Sequence, residues 1–157
     1  MRVIAILLVC LFGVAHADDV RVERGYNKGR PVRIKVVTIG WADVEVATAR
    51  AFRKMAAAAE KAGIELTIRS GFRSHERQEW LYRAWREGYG NKAARPGYSN
   101  HQSGRALDLH VDSATLAWMA VHAKKFGFRQ TVRGEPWHWE FTQPRRVTAR
   151  GSSTRRR

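Results

Sequence analysis

Four residues of this 157-residue chain offer catalytic chemistry together: His101, Asp108, Glu135 and His138. Two histidines and a carboxylate from separate segments are ligand types for a catalytic zinc, which takes three protein groups and keeps a fourth position for water. Glu135 stands three residues before His138, and Pro136 pushes its backbone toward an extended conformation. Its carboxylate can then lie near a metal without binding it, where it suits a general base for water made more acidic by the ion. Gly104 and Ala106, between His101 and Asp108, carry almost no side chain and leave room for an ion and a substrate. The same groups would also serve as polar core residues with satisfied hydrogen bonds, and spacing alone leaves both readings open.

These residues need elements to position them. Val44, Phe52, Met55, Ala59 and Ala62 recur at helical spacing, with Asp43 as the expected cap and Gly63 as the stop. Ile64, Leu66 and Ile68 alternate with polar residues as in a half-buried strand. Ser74 caps a second helix carrying Trp80, Leu81, Ala84 and Trp85, ended by Gly88. The loop GYGNKAARPGYSN leads into a strand, RALDLHV, that puts Leu107, Leu109 and Val111 on one face and Ala106, Asp108 and His110 on the other. His110 would follow Asp108 by roughly 6.6–6.8 Å along that face and reads as a pocket-wall residue. A third helix from about Ser113 carries Leu116, Met119, Ala123 and Phe126 and stops at Gly127. The last strand, WHWEF, puts His138 and Glu140 on one side, so Glu140 would either orient the His138 ring or pair with surface arginines. His75 and His122 fall inside helices without ligand-type neighbours and read as surface residues. Helices and short strands in no strict βαβ order predict an α+β domain.

The chain opens MRVIAILLVCLFGVAHADD, an apolar run followed by the small-x-small pattern of a signal-peptidase site. Removal of residues 1–17 would leave 140 residues, enough for one domain, and would take away Cys10, the only cysteine. That excludes disulfides and a cysteine-based zinc site. The remaining charge is +14, with basic residues concentrated near the start and in RRVTARGSSTRRR at the end. Such a charge attracts polyanions, and the Arg-rich tail reads as disordered. The expected organisation is a leader, 1–17; a basic N-terminal segment, 18–43; a catalytic domain, 44–143; and the tail, 144–157.

SGFRSHERQEWLY, SNHQSGRALDLHV and EPWHWEF, in this order, resemble the three signature blocks of the zinc D-alanyl-D-alanine carboxypeptidases of the VanY type, a family that also contains L-alanyl-D-glutamate endopeptidases. The resemblance spans roughly Val44 to Phe141. It implies the fold shared by these peptidases and the hedgehog signalling domain, a small antiparallel sheet with packed helices. It also implies Zn²⁺ held by His101, Asp108 and His138, Glu135 as catalytic base and later proton donor, and Arg73 over the scissile carbonyl. Ser70, Gln78, Ser99 and Trp137 would then bind substrate, Ser70 and Gln78 orienting either the peptide or Arg73.

The resulting expectation is an exported monomer, in the periplasm or cell-wall space, that trims D-alanine from peptidoglycan stem peptides. Anionic wall polymers would be attracted by the basic surface. No specific nucleic acid and no membrane span after leader removal are expected. The nearer alternative is the endopeptidase; the alternative of another class is a non-catalytic polyanion or cell-wall binding module, resting on charge alone.

Overall fold

Residues 19–142 are described by the structure, a computed structural model; the expected leader and the Arg-rich tail lie outside the described residues. The stretch read from sequence as a basic segment is folded through most of its length. Strand β1 (Arg21–Asn27) turns into β2 (Arg30–Ile39) through Lys28 and Gly29, with φ of 50° and 80°. Two positive φ values in a two-residue loop give the hairpin turn whose twist suits antiparallel strands. β3 (Ala42–Glu45) completes a sheet of order β1-β2-β3. Its basic residues hide the strand pattern, because most of Arg21, Arg24, Arg33 and Lys35 point to water while only Gly25, Val36, Val37, Ala42 and Val44 are buried.

Helix α1 (Val46–Glu60) starts two residues later than Asp43 would have allowed. Pairing of β2 with β3 runs to Val36↔Glu45 and keeps the backbone extended to that point. Glu45 is therefore the cap, its Oε2 accepting from the Thr48 backbone at 2.9 Å and from the Thr48 hydroxyl at 3.0 Å. Asp43 instead stays in the sheet and pairs with Arg21. The apolar stripe of α1, Phe52, Met55 and Ala59, is buried against Val37, Val44, Leu107, Leu109, Met119 and Phe128.

The second sheet has order β4-β5-β7-β6, all antiparallel: β4 (Ile68–Ser70), β5 (Ala106–Leu109), β6 (Phe128–Arg129) and β7 (His138–Phe141). β4 is shorter than the alternation from Ile64 suggested, since its partner β5 is only four residues long. Ser74 caps α2 (His75–Arg86), as expected, through Arg77. The buried side of α2 is Gln78 and Ala84, not Trp80, which is 47% exposed beneath the Arg77 guanidinium. α3 (Ser113–His122) is capped by Asp112, and a 3-10 turn, Ala123–Phe126, carries the chain to Gly127. The architecture is α+β, two small antiparallel sheets with helices packed on them, and no helix among the described residues is long and apolar enough to cross a membrane.

Candidate metal centre

Three elements bring the polar cluster together. In the β5–β7 ladder Asp108 is directly opposite His138, so their side chains leave the same face of the sheet. Ahead of β5, a 3-10 turn, Asn100–Ser103, carries His101, and Gly104 ends it in the left-handed conformation, φ 70°. The turn Glu135-Pro136-Trp137-His138 closes with the His138 N–H donating to the Glu135 carbonyl at 3.0 Å. Proline suits the second position of such a turn, and the closure puts the Glu135 carboxylate 4.0 Å from His138 Nδ1.

His101, Asp108 and His138 are all buried, and one ligand atom from each lies within 4.8 Å of the others. Their hydrogen bonds decide whether a metal fits. His101 Nδ1 is 2.7 Å from the Gly71 carbonyl, which only accepts, so Nδ1 carries the proton and Nε2 is bare. His138 Nε2 lies 3.1 Å from Glu140 Oε1 and donates to it, which leaves Nδ1 bare. The two bare nitrogens stand 3.4 and 3.1 Å from Asp108 Oδ1. Three acceptors pointed at one another in a buried space repel unless a cation lies among them. The donor set therefore fits a divalent metal of the zinc type, with both rings fixed by a second partner.

Without a metal a proton must serve instead. Burial alone would lower the His138 pKa, but hydrogen bonds to Asp108 and Glu140 outweigh it and hold it up at about 9. Burial also works against ionisation of Glu140, yet His138 and its other hydrogen bonds bring it down to about 2. The His138 contribution to stability is thus complete below the ordinary pKa of about 6.5 and lost as pH rises through about 9. The Glu140 contribution is present above about 4.5 and lost as pH falls through about 2. We expect the thermal midpoint of chelated protein to fall between neutral pH and pH about 9, and a saturating metal, which replaces the proton, to flatten that fall. Calorimetry across that pH range checks it.

Arg73 is half-buried beside the cluster, and its Nη1 donates to Gln78 Oε1 at 3.0 Å. Burial lowers its pKa, and the fields of Asp108 and Glu135 oppose that. Gln78 has no exposed surface; its other end donates to the Ala94 carbonyl at 2.7 Å, so it holds Arg73 and the following loop and offers nothing to solvent. Ser70 lies opposite Asp108 in the β4–β5 ladder. Ser99 is buried at the start of the 3-10 turn, and Trp137 is half-buried with the Arg69 guanidinium 5.4 Å from its ring centre.

Other readings change. Gly104 does not make room for substrate: a Cβ there would come within 2.7 Å of Glu45 Cβ, so its missing side chain lets the turn carrying His101 pack on the cap of α1. Ala106 is wholly buried. β5 ends at Leu109, and His110 is exposed, outside the cluster. His75 is only partly exposed; it stacks on Tyr26 with ring centres 4.2 Å apart and meets Gln102 Nε2 at 3.1 Å. Gln102, fully buried, also accepts from the Gly97 N–H at 2.6 Å and so ties the His101 turn to α2. Its only sequence signal was an amide beside a proposed ligand. Glu140 adopts the first of its two expected roles, on the His138 ring.

Residues 42–144 match the family VanY, described as D-alanyl-D-alanine carboxypeptidase. YodJ of Bacillus subtilis (strain 168), a carboxypeptidase by name, is 30% identical over 120 aligned positions, with 59% of this chain and 44% of that protein covered. The matched region thus spans less than half the length of that relative. Among solved structures, a mutant of the vancomycin-resistance D,D-pentapeptidase VanY from a VanB-type cassette, in complex with Zn(II), superposes with TM-score 0.57 at 20% identity, over 78% of this chain and 79% of that one. The LD-carboxypeptidase LdcB, whose structure concerns peptidoglycan recognition, gives TM-score 0.54 at 28% identity over 63% and 59%. The first of these establishes likeness of fold.

Proposed function

This chain belongs to the VanY family of D-alanyl-D-alanine carboxypeptidases, and we propose that it is a zinc peptidase removing the terminal D-alanine of peptidoglycan stem peptides. The observation that supports this most directly is the buried set of bare donors, His101 Nε2, Asp108 Oδ1 and His138 Nδ1, within 4.8 Å of one another. Zinc held there would supply Lewis acidity to water and to the scissile carbonyl. Glu135, at the edge of the set, takes the proton of the attacking water and delivers it to the leaving amine. Arg73, held by Gln78, offers a fixed guanidinium to the developing oxyanion, a contribution of about 3–4 kcal/mol for donors of this kind. Ser70, Ser99 and Trp137 are the proposed peptide contacts.

Export by the leader would put the enzyme in the periplasm or wall space, where the basic surface draws it to anionic polymers with an attraction that weakens as salt rises. A second reading is removal of D-alanine from a tetrapeptide stem, favoured by the 28% identity to the LD-carboxypeptidase LdcB. Cleavage between L-alanine and D-glutamate would need a groove open beyond the leaving group, bounded by the loop from Gly88 to Asn100. A non-catalytic binding module would have no use for the donor set.

Incubation with pentapeptide and tetrapeptide muropeptides, with and without chelator, followed by mass analysis, separates these readings. We expect loss of one alanine from the pentapeptide, stopped by chelator. Loss from the tetrapeptide alone would transfer the assignment to the second reading, and a cut after the first L-alanine to the endopeptidase. No product from either in the presence of zinc would overturn all three.

A further inference from the structure

On the other side of the second sheet from the metal donors lies a groove of 780 Å³ between α1 and the 3-10 turn that leads into β6. Phe141, which lines it, alternates along β7 with the inward-facing His138 and Glu140, so an occupant of this groove leaves the catalytic cluster open. Arg50 and Lys54 line it from α1, and Lys124 and Lys125 from the turn. None of these four is engaged in an ion pair among the described residues. No carboxylate lines the groove.

The floor differs from the rim. Ala47 and Ala51 sit on the same face of α1 as Arg50 and Lys54, by the three-and-four spacing of a helix. With half-buried Phe126 and Phe141 they make an apolar base continuous with the core. A hydrophilic polyanion would use the rim and waste the floor, whereas an amphiphile uses both. The chain's own tail is a poor occupant: Thr142 lines the groove, and the residues beyond it carry six arginines in the last thirteen positions, which add to the positive field.

We propose that this groove docks the protein on an anionic lipid surface, the rim cations on headgroup phosphates and the apolar floor on the acyl part of a lipid that enters between them. This contact is independent of the peptidase reading. It would hold the enzyme against a membrane face with its catalytic cleft turned to the wall.

The test is flotation of the full chain with phosphatidylcholine vesicles, with and without phosphatidylglycerol, read as the partitioning that depends on phosphatidylglycerol. All variants keep the same apolar N-terminal run, so their differences report on the folded surface. Neutralising the groove (R50Q, K54Q, K124Q, K125Q together) is expected to weaken that partitioning at least about tenfold, and neutralising four cations of the β1–β2 hairpin (R24Q, R30Q, R33Q, K35Q) by less than about twofold. Ala47→Glu removes no cation and puts an acid in the first turn of α1, where the helix favours it; it too should weaken partitioning, with an unchanged thermal transition. Equal losses in the groove and hairpin variants, an unaltered Ala47→Glu, or no preference for phosphatidylglycerol would overturn the proposal. So would inorganic polyphosphate binding that the groove variant loses while its lipid binding persists, which would make the groove a site for soluble polyanions.

Discussion

Glu135→Gln is expected to lower stem-peptide hydrolysis by about 10²–10⁴-fold at saturating substrate, with metal content per chain unchanged. Glutamine has nearly the same volume but cannot take up a proton at this position. The Glu135 carboxylate stands 4.0 Å from His138 Nδ1, farther than the 3.1 Å of Asp108, so it lies outside the tight donor set. What holds the turn is its backbone: the Glu135 carbonyl accepts from the His138 N–H at 3.0 Å and from Gln130 Nε2 at 3.2 Å, and both bonds survive the change. The side chain is 36% exposed, so little stability is at stake. Steady-state kinetics with elemental analysis reads the result. Retained activity in the metal-loaded variant would remove Glu135 from the proton path.

Asp108→Asn should have the other large effect, on the metal itself. Asp108 sits between the two bare imidazole nitrogens and is the only anionic donor of the three. Burial opposes its ionisation, but hydrogen bonds and charge from His101 and His138 hold its pKa well below the usual carboxylate range. An amide of the same shape removes that charge. Groups that merely orient a ligand are worth 10–100-fold in metal affinity, so loss of this one should exceed about 100-fold. Competition with a chromophoric chelator measures the affinity, and activity should return in part with excess metal. In the metal-free state the variant also loses the anion that stabilises protonated His138, so its thermal midpoint at neutral pH should lie below that of the unaltered chelated protein. Metal binding at unaltered affinity would mean that Asp108 is only a buried polar residue.

The two variants divide the site by what each residue contributes, and the division mirrors what could be read from the chain. Ser74 as the cap of α2 and the strand carrying Asp108 were legible because local chemistry alone specifies them. A hydroxyl accepts from the third backbone N–H, and side chains alternate along a strand. The N-terminal sheet was not legible, because outward arginines and lysines outnumber its few buried apolar positions. The cap of α1 moved from Asp43 to Glu45 for a related reason: pairing with a strand formed earlier in the chain outweighed the local preference.

Gly104 shows the limit most plainly. Its smallness was visible, but the purpose was not, since the neighbour that requires it, Glu45, is 59 residues away in sequence. By itself the sequence offered two histidines and a carboxylate as donor types, with Glu135 near them, and left open whether they hold a metal or are satisfied polar residues. Only the tertiary structure decided which nitrogen of each ring is free. That choice rests on the Gly71 carbonyl, brought to His101 from 30 residues earlier, and on Glu140, turned onto His138 across the face of β7. A ring's tautomer is set by the partner of its other nitrogen, and such partners exist only once the chain has folded.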